Sequence, residues 1–362
     1  MPASHILSYA RDLTGGGVER ALLRLAGDWI AAGRRVTLVL GRGTGPLAAE
    51  LPTGVAAVEL GTASMRALAL AVPRAVVALG PDILFCPGNH YTSIALLTKV
   101  RLGRRCPPVV AKMSNAVTRG DHGRLAGGGQ AAWLRLHGRF LDHLVAMSPA
   151  TAAEAARATG MAGRTSTIPN PLPQGRASGP LPPLPPAPFI LGVGRLAPQK
   201  RWDRLIATMP ALPGVPVVIL GDGPERAALL AQAAALGVGD RLSLPGHAAD
   251  PLPIMARAAV LALPSDFEGV PGVLREAMSV GTPVVATDSS PAVREVVAAP
   301  ELGSVVERDD SENLATALRH WLTAQRPAPV PMPGEDSPAR YLELFDRLVC
   351  PPLPPGERGA SG

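Results

Sequence analysis

Residues 260–288 read VLALPSDFEGVPGVLREAMSVGTPVVATD, and this stretch decides the fold. VLALPS is short, apolar and bounded by a turn, which suits a buried strand. Pro271-Gly272 marks a helix start, and PVVATD after Gly281 reads as a second buried strand. A strand, a helix and a second strand in that order belong to a parallel sheet covered on both faces.

The same alternation runs outward in both directions. Behind it stand FILGVG (189–194), PVVILG (216–221) and RLSLPG (241–246), and ahead lies GSVVER (303–308). In the first half the strand candidates are 5–10, 35–40, 55–60, 82–87, 108–113 and 143–148. Among them VERALLRLAGDWIAA (18–32) repeats Val18, Leu22, Leu25, Trp29 and Ile30 at helical spacing and stops at Gly33. Between the halves, PQGRASGPLPPLPPAP (173–188) is proline-dense and reads as a linker. The sequence thus divides into a Rossmann-like domain over 1–172, the linker, and a second Rossmann-like domain over 189–325. A proline-rich stretch with a helix follows over 326–350, and the tail 351–362 reads as disordered. The fold class is α/β, two doubly wound parallel sheets facing each other across a cleft at their carboxyl ends.

The bulk numbers fit. A chain of 362 residues suits two domains, and 47% hydrophobic with 18% charged residues is globular composition. Only 3% are aromatic, which argues against base-stacking modules for single-stranded nucleic acid. No apolar run reaches the roughly eighteen residues needed to span a bilayer, and the N-terminus lacks the basic start of a signal peptide. Cys86, Cys106 and Cys350 lie far apart and suit a reducing cytoplasm. The net charge of +6 conceals an asymmetry. Residues 1–175 hold 19 Lys and Arg against 9 Asp and Glu, and the remainder holds 16 against 20. The basic half, densest at Lys99, Arg101, Arg104 and Arg105, suits a phosphorylated acceptor or anionic headgroups as well as a merely solvated surface. No nucleic-acid recognition motif is visible.

The chemistry is concentrated past the ends of the second-half strands. Arg195 and Lys200 follow FILGVG in GRLAPQKRWDRLI, two cations that can grip a pyrophosphate from two sides, although a Lys after a strand read alone is more often a surface charge. Glu268 and Glu276 stand eight residues apart around the Gly-Val-Pro-Gly turn. The free amides of the helix start, over Gly269, Val270, Pro271, Gly272 and Val273, suit a phosphate. Glu276, about one turn inside, suits the two hydroxyls of a ribose, and Glu268 suits those of a sugar. An acidic first turn favoured by the helix dipole explains one of the two carboxylates but not the turn set between them. No Asp-x-Asp stands at a strand end, and Asp309-Asp310 reads as a solvated acidic turn, so the pattern implies fixed cations in place of a metal. TGGGVER (14–20) opens the first helix with glycines that admit close approach to the backbone, and by itself reads as a tight turn.

Together TGGGVERALLRLA, VAMSPA, TIPNPLP, GVGRLAPQKRWDRLI, ILGDGPE, LPGHAADPLP and EGVPGVLREAMSVGTPVVATD resemble the retaining GT-B glycosyltransferases of family 4, over most of the chain. The resemblance implies transfer of a sugar from a nucleotide-diphosphate donor to a glycan or lipid-linked acceptor, in bacterial cell-surface polysaccharide or lipopolysaccharide synthesis. It places Arg195 and Lys200 on the diphosphate, Glu276 on the ribose, and Glu268 on the donor sugar as the catalytic carboxylate. Gly16 and Gly17 fall near the donor phosphates, Gly246 and His247 near the base. Residues 1–172 become the acceptor domain, and the helix 337–349 crosses back to it. No cofactor or metal is implied, and the location is cytoplasmic, peripheral at the inner membrane face. In one respect the sequence departs from the family. Where many members carry a histidine after the fifth strand, VVAKMSNAVTRGDH has Ser114 and Asn115. His90 in PGNHYTS and His122 stand nearby, so Asn115 and His90 are further catalytic candidates. The competing readings are an inactive sugar-nucleotide-binding scaffold and a nucleotide-sugar epimerase.

Overall fold

The computed structural model describes residues 2–14, 16–114, 124–172, 181–248 and 250–350. Asn115 and His122, and the segments 173–180 and 351–362, therefore lie outside the described residues. The chain forms two units, Met1–Pro173 together with Pro333–Gly362, and Gln174–Met332.

The first unit is built on β1 (His5–Asp12), β2 (Arg35–Arg42), β3 (Ala56–Glu59), β4 (Ile83–Cys86), β5 (Val109–Met113), β6 (His143–Ala146) and β7 (Thr165–Thr167). They pair in parallel in the order β3-β2-β1-β4-β5-β6-β7. Between them run α1 (Gly17–Ala31), α2 (Met65–Leu79), α3 (Thr92–Leu102), α4 (Arg124–Phe140) and α5 (Pro149–Thr159). Alternate strand residues face opposite layers, as the period of two requires. Ile6, Leu38, Phe85, Val110 and Val145 pack under α1, while Leu7, Val39, Leu84, Ala111 and Leu144 pack with α2 to α5. Strand order reverses between β1 and β4, the switch point where open α/β sheets take ligands at their carboxyl edge. The seventh strand, Thr-Ser-Thr at an edge and only half-buried, is absent from the sequence expectation because it has no apolar run.

The second unit repeats the design with β8 (Ile190–Val193), β9 (Val217–Leu220), β10 (Leu242–Gly246), β11 (Val260–Leu263), β12 (Val284–Thr287) and β13 (Gly303–Val306). Their order is β10-β9-β8-β11-β12-β13, again all parallel. The intervening helices are α6 (Trp202–Thr208), α7 (Arg226–Ala235), α8 (Leu252–Arg257), α9 (Gly272–Ser279), α10 (Pro291–Val296) and α11 (Ser311–Trp321). Its switch point falls between β8 and β11, the two strands whose following turns carry Lys200 and Glu268.

The last helix, α12 (Ser337–Val349), belongs to the first unit. Tyr341 and Phe345 are fully buried and stand edge-on to Trp29 of α1 and Phe85 of β4, with ring centroids 5.3–6.0 Å apart. Such aromatic contacts add to the burial of large apolar surface. Asp346 fixes the helix end by accepting from the Ala3 amide at 2.8 Å and from Arg34 at 2.9 Å.

Candidate functional site

The turn after β8 is shaped by what its glycines leave out. A side chain at Gly192 would meet the Trp202 indole at 2.7 Å, so the missing Cβ lets that ring lie against the strand. The indole Nε1 then donates to the Arg195 carbonyl at 2.9 Å and pins the turn. Gly194, at φ 154°, lets the Lys200 side chain pass within 3.1 Å of where a Cβ would stand. A single 3₁₀ turn over Pro198–Lys200 completes the approach. It is docked to the turn after β11: Gln199 Nε2 donates to the Phe267 carbonyl at 2.6 Å, and the Asp266 amide donates to the Gln199 carbonyl at 2.9 Å.

That docking brings Lys200 Nζ to 2.6 Å from Glu268 Oε1, with the two side chains only 18% and 10% exposed. The same carboxylate oxygen accepts from Ser265 Oγ at 2.6 Å. Glu268 is further fixed through its amide, which donates to the Ser289 carbonyl at 3.1 Å, and Ser290 Oγ donates to the Gly269 carbonyl at 2.8 Å. Lysine, carboxylate and hydroxyl therefore form one buried polar cluster at the switch point. The sequence treats Lys200 and Glu268 as contacts to separate parts of a ligand, and Ser265 goes unnoticed there. Arg195, in contrast, is exposed on the turn.

Helix α9 starts at Gly272 with Pro271 at the cap position and no side chain capping it. Glu276 is half-buried on its second turn, and Gly269, Val270 and Pro271 are buried ahead of it. Gly246 closes β10 with φ 92°, its carbonyl accepting from the Gly221 amide at 2.7 Å, and His247 beyond it is exposed. Asp309 and Asp310 stand on a solvent-facing turn as expected, Asp309 with its side chain 90% exposed, and each also has a partner. Asp309 pairs with Arg204 at 2.8 Å, and the Asp310 side chain caps α11 by accepting from the Asn313 amide at 2.9 Å. No three His, Cys, Asp or Glu side chains group as a metal site among the described residues.

The first unit gathers a second polar cluster at its own switch point. Gly16 caps α1 at φ 153°, whereas Gly17 is exposed with open space where a Cβ would stand, so close approach does not demand a glycine there. Glu19 accepts from Tyr91 Oη at 3.2 Å and lies 3.9 Å from His90 Nε2. Tyr91 Oη in turn accepts from the Arg11 amide at 2.9 Å. Burial raises the Glu19 carboxyl above its usual range. Asn89 Oδ1 accepts from the Ser114 amide at 2.6 Å and stitches the turn after β4 to the end of β5. His90 is therefore beside a carboxylate, and its ring and Ser114 Oγ lie 3.3 and 2.9 Å from where a Cβ on Gly88 would stand.

Lys112, in β5, is the group that sequence reading missed, since a lysine in an apolar strand gives no periodic signal. It is 2% exposed, and burial pulls its ammonium down to about 7 against the attraction of Glu19. The folded chain thus binds this proton less tightly than the unfolded one, so its contribution to stability rises with pH from about 7 toward the ordinary lysine range. Lys112→Met should raise the urea midpoint at pH 6, and the advantage should shrink as pH climbs to about 9. A constant difference across that window, or a loss at pH 6, would show that Lys112 stays charged through a compensating partner.

Two doubly wound units, each with its polar cluster at the carboxyl edge of a parallel sheet, define a two-domain α/β architecture. Residues 15–175 match the model of Glycosyltransferase Family 4, and residues 181–331 match that of Glycosyl transferases group 1. The chain belongs to this family. LpsE of Rhizobium meliloti (strain 1021), a lipopolysaccharide core biosynthesis glycosyltransferase, is 35% identical over 132 residues, 36% of this chain and 38% of LpsE. The exopolysaccharide phosphotransferase SCO2592 of Streptomyces coelicolor is 33% identical over 198 residues, 53% of this chain and 21% of its own length. The chain thus spans well under half the length of these curated relatives. The crystal structure of Anabaena Alr3699/HepE with UDP-glucose superposes with a TM-score of 0.71 at 19% identity, over 95% of this chain and 98% of that one, and shares its GT-B fold.

Proposed function

We propose that this chain is a retaining, metal-independent glycosyltransferase that moves a sugar from a nucleotide-diphosphate donor to a glycan or lipid-linked acceptor. The observation that carries it is the buried Lys200–Glu268–Ser265 cluster beside the uncapped start of α9, at the switch point of the second sheet. As the bond from the sugar to the diphosphate breaks, negative charge grows on the leaving oxygen. Lys200 and Arg195, with the amides around Gly272 and Val273, meet that charge. Glu276 accepts the ribose hydroxyls, and Glu268 holds the donor sugar while orienting Lys200. The acceptor proton passes to the leaving phosphate oxygen as the new bond forms on the same face, so no protein base is needed. The names of LpsE and SCO2592 support a product among cell-surface polysaccharides.

Release of nucleoside diphosphate from a panel of nucleotide sugars, with and without membrane extract, tests this directly. Turnover should persist in excess EDTA, because fixed cations take the place of a divalent ion. Loss on chelation with rescue by magnesium or manganese would overturn the phosphate site, and diphosphate binding without turnover on any donor would make the chain a sugar-nucleotide scaffold.

A further inference from the structure

Among the described residues only one that is not a glycine has a positive φ, and it stands directly after Lys200. Arg201 lies at φ 49° and ψ 44°, in the left-handed region, between the 3₁₀ turn Pro198–Lys200 and α6. A side chain makes this conformation costly, because Cβ crowds the carbonyl oxygen that follows, and glycine is the residue that adopts it freely. Something in the fold must therefore hold Arg201 there.

The bend has a visible effect on its two neighbours. In a continuous helix, residues two apart point about 200° away from each other. Here Lys200 Cε and the Trp202 ring both close on Gly194, at 3.1 and 3.4 Å from where its Cβ would stand. The left-handed residue between them turns both side chains onto the same glycine.

The guanidinium of Arg201 supplies the hold. Its Nε donates to Asp203 Oδ1 at 3.0 Å and its Nη2 to Asp203 Oδ2 at 2.9 Å, a two-pronged grip. Its Nη1 donates to Asp266 Oδ1 at 3.2 Å. Asp203 belongs to the first turn of α6, and Asp266 stands two residues before Glu268 on the turn after β11. Asp266 is fixed in its turn by Arg204, whose Nη1 lies 2.6 Å from the carboxylate and donates to the Pro264 carbonyl at 3.2 Å. One side chain thus ties the bend behind Lys200 both to the helix ahead of it and to the turn that carries Glu268. The side chains of Arg201, Asp203 and Asp266 are 32%, 46% and 36% exposed. Ion pairs this open to solvent add little to global stability, so their effect is to fix a conformation. With two carboxylates on it, the guanidinium is engaged within the protein rather than offered to a ligand.

We propose that Arg201 is a positioning residue: the left-handed bend it closes through Asp203 and Asp266 aims the Lys200 ammonium at the switch point of the second sheet. That Lys200 meets the donor diphosphate there rests on the transferase reading, whereas the aiming of its side chain does not.

Two measurements on the full chain test this, the first without any nucleotide. Urea denaturation of the single and double alanine variants gives the coupling between Lys200 and Glu268. In an Arg201→Ala background that coupling should fall by about half or more, since the ammonium is no longer directed at the carboxylate. The second measurement is UDP titration. Arg201→Ala should weaken UDP about fivefold and Arg201→Gly less, because glycine keeps the bend without the tether. In a Lys200→Ala background the same substitutions should change UDP affinity by less than about twofold, as there is no ammonium left to aim. Undiminished Lys200–Glu268 coupling in Arg201→Ala overturns the proposal. So does a loss of UDP affinity as large in the Lys200→Ala background as in the wild type, which would put Arg201 itself on the phosphate or make it a general support of the unit. If the coupling falls while neither Lys200→Ala nor Arg201→Ala alters UDP affinity, the positioning role stands and the diphosphate reading of Lys200 fails.

Discussion

Replacing Lys200 with alanine should destabilise the second unit more than replacing Lys200 and Glu268 together. The ammonium sits 2.6 Å from Glu268 Oε1 with little solvent around either group. Removing the lysine leaves a buried carboxylate supported mainly by Ser265 Oγ, and breaking one side of such a pair costs about 3–5 kcal/mol. Removing both partners removes the stranded charge, so part of that loss should return. Urea denaturation of the two single variants and the double variant gives the coupling directly. UDP titration on the same proteins separates stability from function. Lys200→Ala should weaken UDP about tenfold or more through the lost charge-assisted contact. Glu268→Ala should leave UDP affinity intact or tighter, because a carboxylate near the diphosphate is gone, while turnover falls about a hundredfold. Additive stability losses would mean the pair is solvated in solution. Weaker UDP binding in Glu268→Ala would assign the carboxylate to the nucleotide.

A methyl group at Gly221 should be as damaging, although it changes no charge. Gly221 lies at φ 143°, and its absent Cβ would run into the carbonyl oxygen of Gly194 on the neighbouring turn. The two turns are zipped together there, the Gly194 amide donating to the Leu220 carbonyl and the Leu196 amide to the Asp222 carbonyl, both at 2.9 Å. Gly221→Ala must either part these turns or hold a strained backbone, at about 3 kcal/mol or more. Displacing residues 194–196 also moves Arg195, so UDP affinity should fall with stability. Gly272→Ala offers the contrast, since nothing stands within 4 Å of its Cβ and its φ lies outside the positive range, and its stability should change little. Equal urea midpoints for Gly221→Ala and wild type would show that the turns are looser than their hydrogen bonds imply.

How much of this was legible beforehand depends on which physical signal each element carries. FILGVG and VLALPS announce β8 and β11 because buried parallel strands are continuous apolar runs. Pro271-Gly272 announces α9 within a residue, through the preference of helix starts for a fixed φ. Glu268, Glu276, Arg195 and Lys200 are nameable because charged residues beside glycine turns stand out from apolar strands. Their mutual geometry is not nameable. Lys200 meets Glu268 only because a 3₁₀ turn docks through Gln199 on Asp266 and Phe267, by one backbone-to-backbone and one side-chain-to-backbone contact that leave no periodic trace. Lys112 hides for the opposite reason, since its neighbours in β5 are apolar and its relation to Glu19 spans 93 residues. The three-residue β7 is too short for any pattern to register.

The placement of α12 with the first unit has a consequence for biosynthesis. Trp29 and Phe85 are made early, yet the rings that cover them, Tyr341 and Phe345, are translated more than 250 residues later. At about 5–20 residues per second, the nascent first unit waits roughly 15–60 s with part of its aromatic core uncovered. The second unit, encoded wholly within that interval, has all its strands before the first unit can close. The unit begun first on the ribosome is therefore the one finished last, and its half-made form is the species a chaperone would meet.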